Sequence, residues 1–93
     1  MTVNFRDYLN ERLKDPSFRA EYEAQEVEDE ILQAIILERK SKGITEEELS
    51  KRSGLKQSEI KELEGGQTEP TLKILHQMAF GVGKKLRLEL VSV

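Results

Sequence analysis

The amino-acid sequence predicts a mainly α-helical protein, a small helical bundle with a helical arm before it and one β-strand after it. Three observations lead there. Apolar side chains recur at helical spacing between Phe5 and Ala79. Capping residues, glycines and prolines cut these stretches into separate helices, with no long linker between them. Only the tail Lys85 to Val93, KLRLELVSV, alternates apolar and polar residues with the period of a strand. The expected division is an arm over residues 1–28, a central bundle over 29–83 and a C-terminal strand over 84–93.

In the arm, Phe5, Tyr8, Leu9 and Leu13 fall at i, i+3, i+4 and i+8, which predicts an amphipathic helix from about Asn4 to Lys14. Asp15 suits an N-cap and Pro16 a first helical residue, so a new helix starts there. Phe18 and Tyr22 share one face of it. Phe5, Tyr8, Phe18 and Tyr22 are all but one of the aromatic residues, which makes the arm a candidate partner-binding surface. Covering the helical core is the plainer role for them, and the two are compatible. The acidic run Glu21–Glu30 is either a solvated helix face or the complement of a basic partner.

From Ile31 the text changes to ILQAIILERKSKG. Ile31 and Ile35 lie on one face, Leu32 and Ile36 on the next, and Ala34 and Leu37 widen the stripe. A helix apolar over so much of its circumference is expected to be buried on two sides, one against the bundle and one against the arm or a second protomer. Lys40, Lys42 and Gly43 end it with the charge sign and the glycine a C-terminus favours.

The stretch Gly43–Gly66, GITEEELSKRSGLKQSEIKELEGG, organises the chain. Thr45 followed three residues later by Glu48 is a capping box, and Glu46, Glu47 and Glu48 sit where the helix dipole favours negative charge. Leu49 anchors this helix inward. Gly54, after Ser53, supplies the left-handed residue that stops it. Leu55 points inward at the turn, and a second helix runs from about Lys56 to Glu64 with Ile60 and Leu63 buried at i, i+3. Two short helices around a tight turn make a helix-turn-helix. An αα-hairpin in an ordinary bundle has the same hydrophobic spacing, yet it has no need of small polar residues at the start of the second helix. In a helix-turn-helix that second helix enters the major groove and its first residues meet the base edges. Gln57 and Ser58 are therefore the candidate base readers, since a glutamine amide pairs in two places with adenine. Lys56 and Lys61 are candidates for bases or phosphate, and Thr45, Lys51, Gln67 and Thr68 for backbone positioning.

Glu64 to Pro70 is a loop by composition, and Thr71 caps the next helix. Leu72, Leu75, Met78 and Ala79 form its expected inward stripe, with Val82 closing it between Gly81 and Gly83. His76, the only histidine, has no second histidine or cysteine beside it and is expected on the helix surface rather than in a metal site. In the tail, Leu86, Leu88 and Leu90 are expected on one face of the strand. No other segment alternates, so the economical partner is the same strand of a second copy, which predicts a homodimer. Pairing with a different protein, or fraying, is the alternative.

At these residues the chain resembles the Xre family of lambda-repressor-like DNA-binding domains. The resemblance covers about Ile31 to Leu86. It rests on Gly43–Ile44–Thr45, Leu49, Ser53–Gly54–Leu55, Gln57–Ser58, Ile60, Leu63–Glu64, Gly66 and Pro70–Thr71–Leu72. It implies a lambda-repressor-like helix-turn-helix bundle that binds double-stranded operator DNA. The order of arm, Xre-like domain and terminal strand further resembles the HigA-type antitoxins. That likeness implies an autorepressor that also neutralises a basic HigB/RelE-like toxin by protein–protein contact. There are departures. Glu46 stands where the family commonly has Gln, Lys56 where Ser or Thr caps the reading helix, and Glu62 and Gly65 where Arg is frequent. Glu59, near the groove, is able to accept from a cytosine amine.

Composition bounds the rest. Ninety-three residues are enough for one modest aliphatic core, with 35% of residues charged and 5% aromatic. The absence of cysteine excludes disulfide and thiol chemistry and suits the cytoplasm. No apolar run is long enough for a membrane span or a signal-peptide core. The net charge of −3 runs against DNA binding, but it is unevenly spread. Residues 1–30 carry four basic and nine acidic groups, whereas residues 31–93 carry eleven basic and nine acidic. Catalysis, cofactors and metals are not expected: there is no glycine-rich phosphate loop, and the lone histidine lacks a nucleophile or relay partner.

Overall fold

The computed structural model describes the backbone of residues 5–92 and the side chains of residues 9–92. Among them are five helices and no strand: α1 (Phe5–Arg12), α2 (Pro16–Ser41), α3 (Glu46–Ser53), α4 (Gln57–Glu64) and α5 (Leu72–Gly81). The described residues fall into two compact units that divide between Glu30 and Ile31, within α2.

In the first unit α1 ends where the Leu13 N–H bonds to Leu9 O at 2.8 Å and the Asp15 N–H to Arg12 O at 3.1 Å. The Asp15 carboxylate accepts from the Ser17 N–H at 3.0 Å, so the expected cap forms and Pro16 opens α2. Beyond it, Phe18 and Tyr22 stack with centroids 6.2 Å apart, and the Arg12 guanidinium lies 4.6 Å from the Phe18 centroid. Arg19 donates to Glu23 at 2.8 Å; that hydrogen bond, then the carboxylate charge, holds the guanidinium above its ordinary pKa.

The second unit is built on twelve buried apolar residues drawn from α2, α3, α4, α5 and the turns between them. Leu49, Ile60, Leu75, Met78 and Val82 are essentially sealed. Helices of eight residues such as α3 and α4 are too short to persist alone. Burial holds them: Ile60 and Leu63 each contribute about 1.5–3 kcal/mol on leaving water. The end of α5 lies against α3. A Cβ placed on Gly81 would sit 2.5 Å from Leu49 Cδ1 and 3.3 Å from Ser53 Cβ, so the close approach requires glycine.

Two polar clamps complete this unit. Arg39 on α2 donates through Nε to Glu64 at 2.8 Å and through its terminal nitrogen to Ile44 O at 2.9 Å. The other Glu64 oxygen, Oε2, is buried with no partner among the described residues. Lys42 reaches Val82 O at 2.6 Å and lies 3.3 Å from Glu38.

Three expectations need correction. The first is the C-terminal β-strand: residues 84–92 form none. Alternation specifies which side a residue would take, but a strand exists only when a neighbouring backbone completes its ladder, and the described chain has no other strand. The last backbone bond of this region runs from the Lys84 N–H to Ala79 O at 2.8 Å. Beyond it Leu86 packs on the core, Leu88 is 53% exposed and Leu90 fully exposed, so the three do not share one covered face. The second is Leu72, placed in the inward stripe of α5 but 56% exposed; Leu75, Met78 and Ala79 are buried as expected, and Ile74, outside the expected stripe, packs partly buried against the core. The third is the stripe of α2: Leu32, Ile35 and Ile36 are buried, whereas Ala34 and Leu37 face solvent.

Candidate nucleic-acid interface

The interface is assembled from α3 outward. The Thr45 hydroxyl accepts from the Glu48 N–H at 3.1 Å and caps α3. Gly54 takes the left-handed conformation, with φ 80°, and its N–H bonds to Ser50 O at 3.0 Å. Two serines then lock the turn. Ser50 Oγ donates to Leu55 O at 2.5 Å, and the Leu55 N–H donates to Ser53 Oγ at 3.2 Å. Gln77 on α5 reaches Ser53 O at 3.5 Å. These bonds, with Leu55 buried between them, set the direction in which α4 leaves the turn.

Lys56 is the N-cap of α4, in extended conformation, and its side chain makes no capping hydrogen bond. The first amides of α4 are therefore without a side-chain acceptor, and they carry the positive end of the helix dipole. Lys56, Gln57 and Ser58 are all exposed at this end, while Ile60 and Leu63 are buried one turn further on. The leading edge of α4 is thus solvent-facing on a helix that is fixed from behind.

All the candidate contact residues lie at the surface. Lys61, one turn along α4, is exposed and in no ion pair among the described residues. Thr45 and Lys51 are exposed on α3; Lys51 approaches Glu47 at 3.5 Å, a screened surface pair that yields readily to a phosphate. Gln67 and Thr68 are exposed in the loop after α4, where Gly66 at φ 75° lets the Gln67 N–H turn back to Glu62 O at 2.8 Å. Of the acidic departures, Glu62 is exposed, and Glu46 and Glu59 are half-buried. Sequence reasoning missed the supports: Ser50, Ser53 and Gln77 around the turn, and Arg39 behind α4. No local pattern joins Arg39 to Glu64, 25 residues away, so only the fold brings them together. It also missed Arg52, an exposed cation of α3 in no ion pair among the described residues.

Leu86 is half-buried against the core of its own unit, with Leu88 and Leu90 beyond it. Phe18 is half-buried and Tyr22 37% exposed in the first unit, whereas the side chains of Phe5 and Tyr8 lie outside the described residues. A surface cleft of about 550 Å³, lined by Leu13, Pro16, Tyr22 and Glu26 among others, runs beside that aromatic pair. His76 is exposed on α5. Among the described residues no group of three or more acidic, histidine or cysteine side chains is placed to hold a metal ion, and no helix is long and apolar enough to cross a membrane.

Residues 35–79 match the model of the helix-turn-helix family, a span that takes in the second half of α2's buried stripe, both helices of the motif and most of α5. No curated protein and no solved structure matched the chain. The exposed edge at Lys56–Ser58, the locked turn and this match agree: residues 35–79 are similar to the helix-turn-helix family, a likeness that supports a DNA-binding transcription regulator.

Proposed function

We propose that the chain is a sequence-specific repressor that binds its own operator as a homodimer and acts as an antitoxin in the cytoplasm. The observation that carries the DNA-reading part is the exposed, uncapped leading edge of α4 within the family-matched domain. Gln57 and Ser58 read base edges, and Lys56 and Lys61 neutralise phosphate or join the reading. Thr45, Lys51, Gln67 and Thr68 position the backbone. Two protomers would read half-sites about 34 Å apart, one helical turn of the duplex. The exposed Leu88 and Leu90 support a homodimer, because large apolar side chains in water favour a partner that covers them. No catalytic role, cofactor or metal belongs to this reading.

The antitoxin part rests on the arm. The stacked Phe18–Tyr22 pair and the acidic run Glu21–Glu30 suit a basic protein such as a HigB/RelE-like toxin. A second reading is favoured by Glu46, Glu59 and Glu62, which cost phosphate affinity: a module that mainly sequesters a basic partner, with weak DNA binding. Footprinting on the DNA upstream of the chain's own gene separates the two. Protection of paired half-sites supports the repressor, and affinity equal on all sequences supports the sequestering module.

A further inference from the structure

The outer face of α5 and the tail that follows it leave an unpartnered groove. Leu72, Phe80, Leu86 and Leu88 supply its apolar floor; Leu72 is 56%, Phe80 70% and Leu88 53% exposed. Two adjoining hollows of about 450 and about 590 Å³ meet at His76. Their rim is basic: Lys73, Lys84 and Lys85 line them and no carboxylate does. Lys84 lies 3.8 Å from Glu38, while Lys73 and Lys85 are in no ion pair among the described residues. Lysines rimming an apolar floor disfavour the same face of a second copy, since the rims would meet like charge. They favour a helix with an apolar stripe flanked by acid.

The chain contains such a helix. In the first part of α2, Ala20, Ala24 and Val27 recur at i, i+4, i+7 and are all exposed, Val27 at 49%. Helical spacing places Glu23 and Glu30 along one side of that stripe and Glu21 and Glu28 along the other. Glu21, Glu28 and Glu30 are in no ion pair among the described residues. We propose that the basic-rimmed groove of α5 and the tail receives the acidic stretch Glu21–Glu30 of a second copy, so that two protomers exchange these segments reciprocally. The small alanines let the helix lie close, Val27 meets the leucine floor, and the glutamates meet Lys73 and Lys85. The proposal deepens the homodimer of the preceding reading and rests on it.

Sedimentation equilibrium of the full chain and its variants tests it. Each charge reversal, Lys73→Glu with Lys85→Glu or Glu28→Lys with Glu30→Lys, is expected to weaken the dimer at least about tenfold. All four changes in one chain restore complementary charge and are expected to bring dissociation back to within about threefold of wild type, with helicity unchanged by circular dichroism. A dimer indifferent to both reversals, or a fourfold variant no tighter than either pair, overturns the exchange while leaving the homodimer standing. A chain that stays monomeric up to hundreds of micromolar overturns both. Retention of specific operator binding by that monomer would still leave the DNA-reading part intact.

Discussion

Gln57 is the residue on which the proposed base reading turns. It is exposed at the first position of α4 and its side chain has no hydrogen bond among the described residues, so its amide is free to meet a base pair. Gln57→Ala should cost about 1–3 kcal/mol of operator affinity and relax preference at one position, measured by competition with single-base operator variants. Equal loss on every sequence would remove Gln57 from that role. Lys61→Ala should instead lower the slope of log affinity against log salt by about 1, with base preference unchanged. Arg39 acts from behind. Arg39→Met leaves Glu64 buried and unpaired and should destabilise the fold by about 3 kcal/mol in urea unfolding. Adding Glu64→Leu should recover most of that loss, since an apolar pair carries no desolvation penalty. The sequence made the exposure of Lys56, Gln57 and Ser58 legible, because a polar residue at the start of a helix whose next turn is apolar has only one way to face. It could not make Arg39 legible, for a pairing across 25 residues leaves no local trace.

At the scale of elements, the contact that matters most is the end of α5 against α3. Gly81 allows an approach that a side chain would block at Leu49 and Ser53, and those two belong to the helix that sets the turn. Gly81→Ala should therefore destabilise by about 1–3 kcal/mol, read as a lower urea midpoint with an unchanged slope. Helices α3 and α5 were legible because they carry their own punctuation: Thr45 and Gly54 bound α3, and Thr71 begins α5 through its bond from the Ile74 N–H at 3.2 Å. The tail was misjudged for the opposite reason. Its alternation is a property of one segment, whereas a strand is a property of two, and the described chain holds no second one. Leu72 was misjudged because helical spacing fixes which residues share a face but not how wide the buried face is.

For the whole molecule, charge divides as the compact units do. The first thirty residues carry the acidic excess and the remainder a small basic one, so a duplex is repelled by one part and attracted by the other. Removing residues 1–26 should therefore strengthen non-specific DNA binding modestly at low salt, a difference that fades as salt rises. The same deletion should abolish capture of a basic HigB/RelE-like protein in a pull-down while specific operator binding survives. Loss of operator binding together with capture would make the two surfaces inseparable.

One consequence follows from the missing cap at Lys56. The first turn of α4 holds backbone donors that no side chain among the described residues satisfies, so in the free protein it should take up deuterium sooner than the capped first turns of α3 and α5. A phosphate oxygen of the operator is the acceptor those amides lack, and its arrival should slow exchange there more than anywhere else in the domain. The nucleic acid would then finish a helix terminus that the polypeptide leaves open.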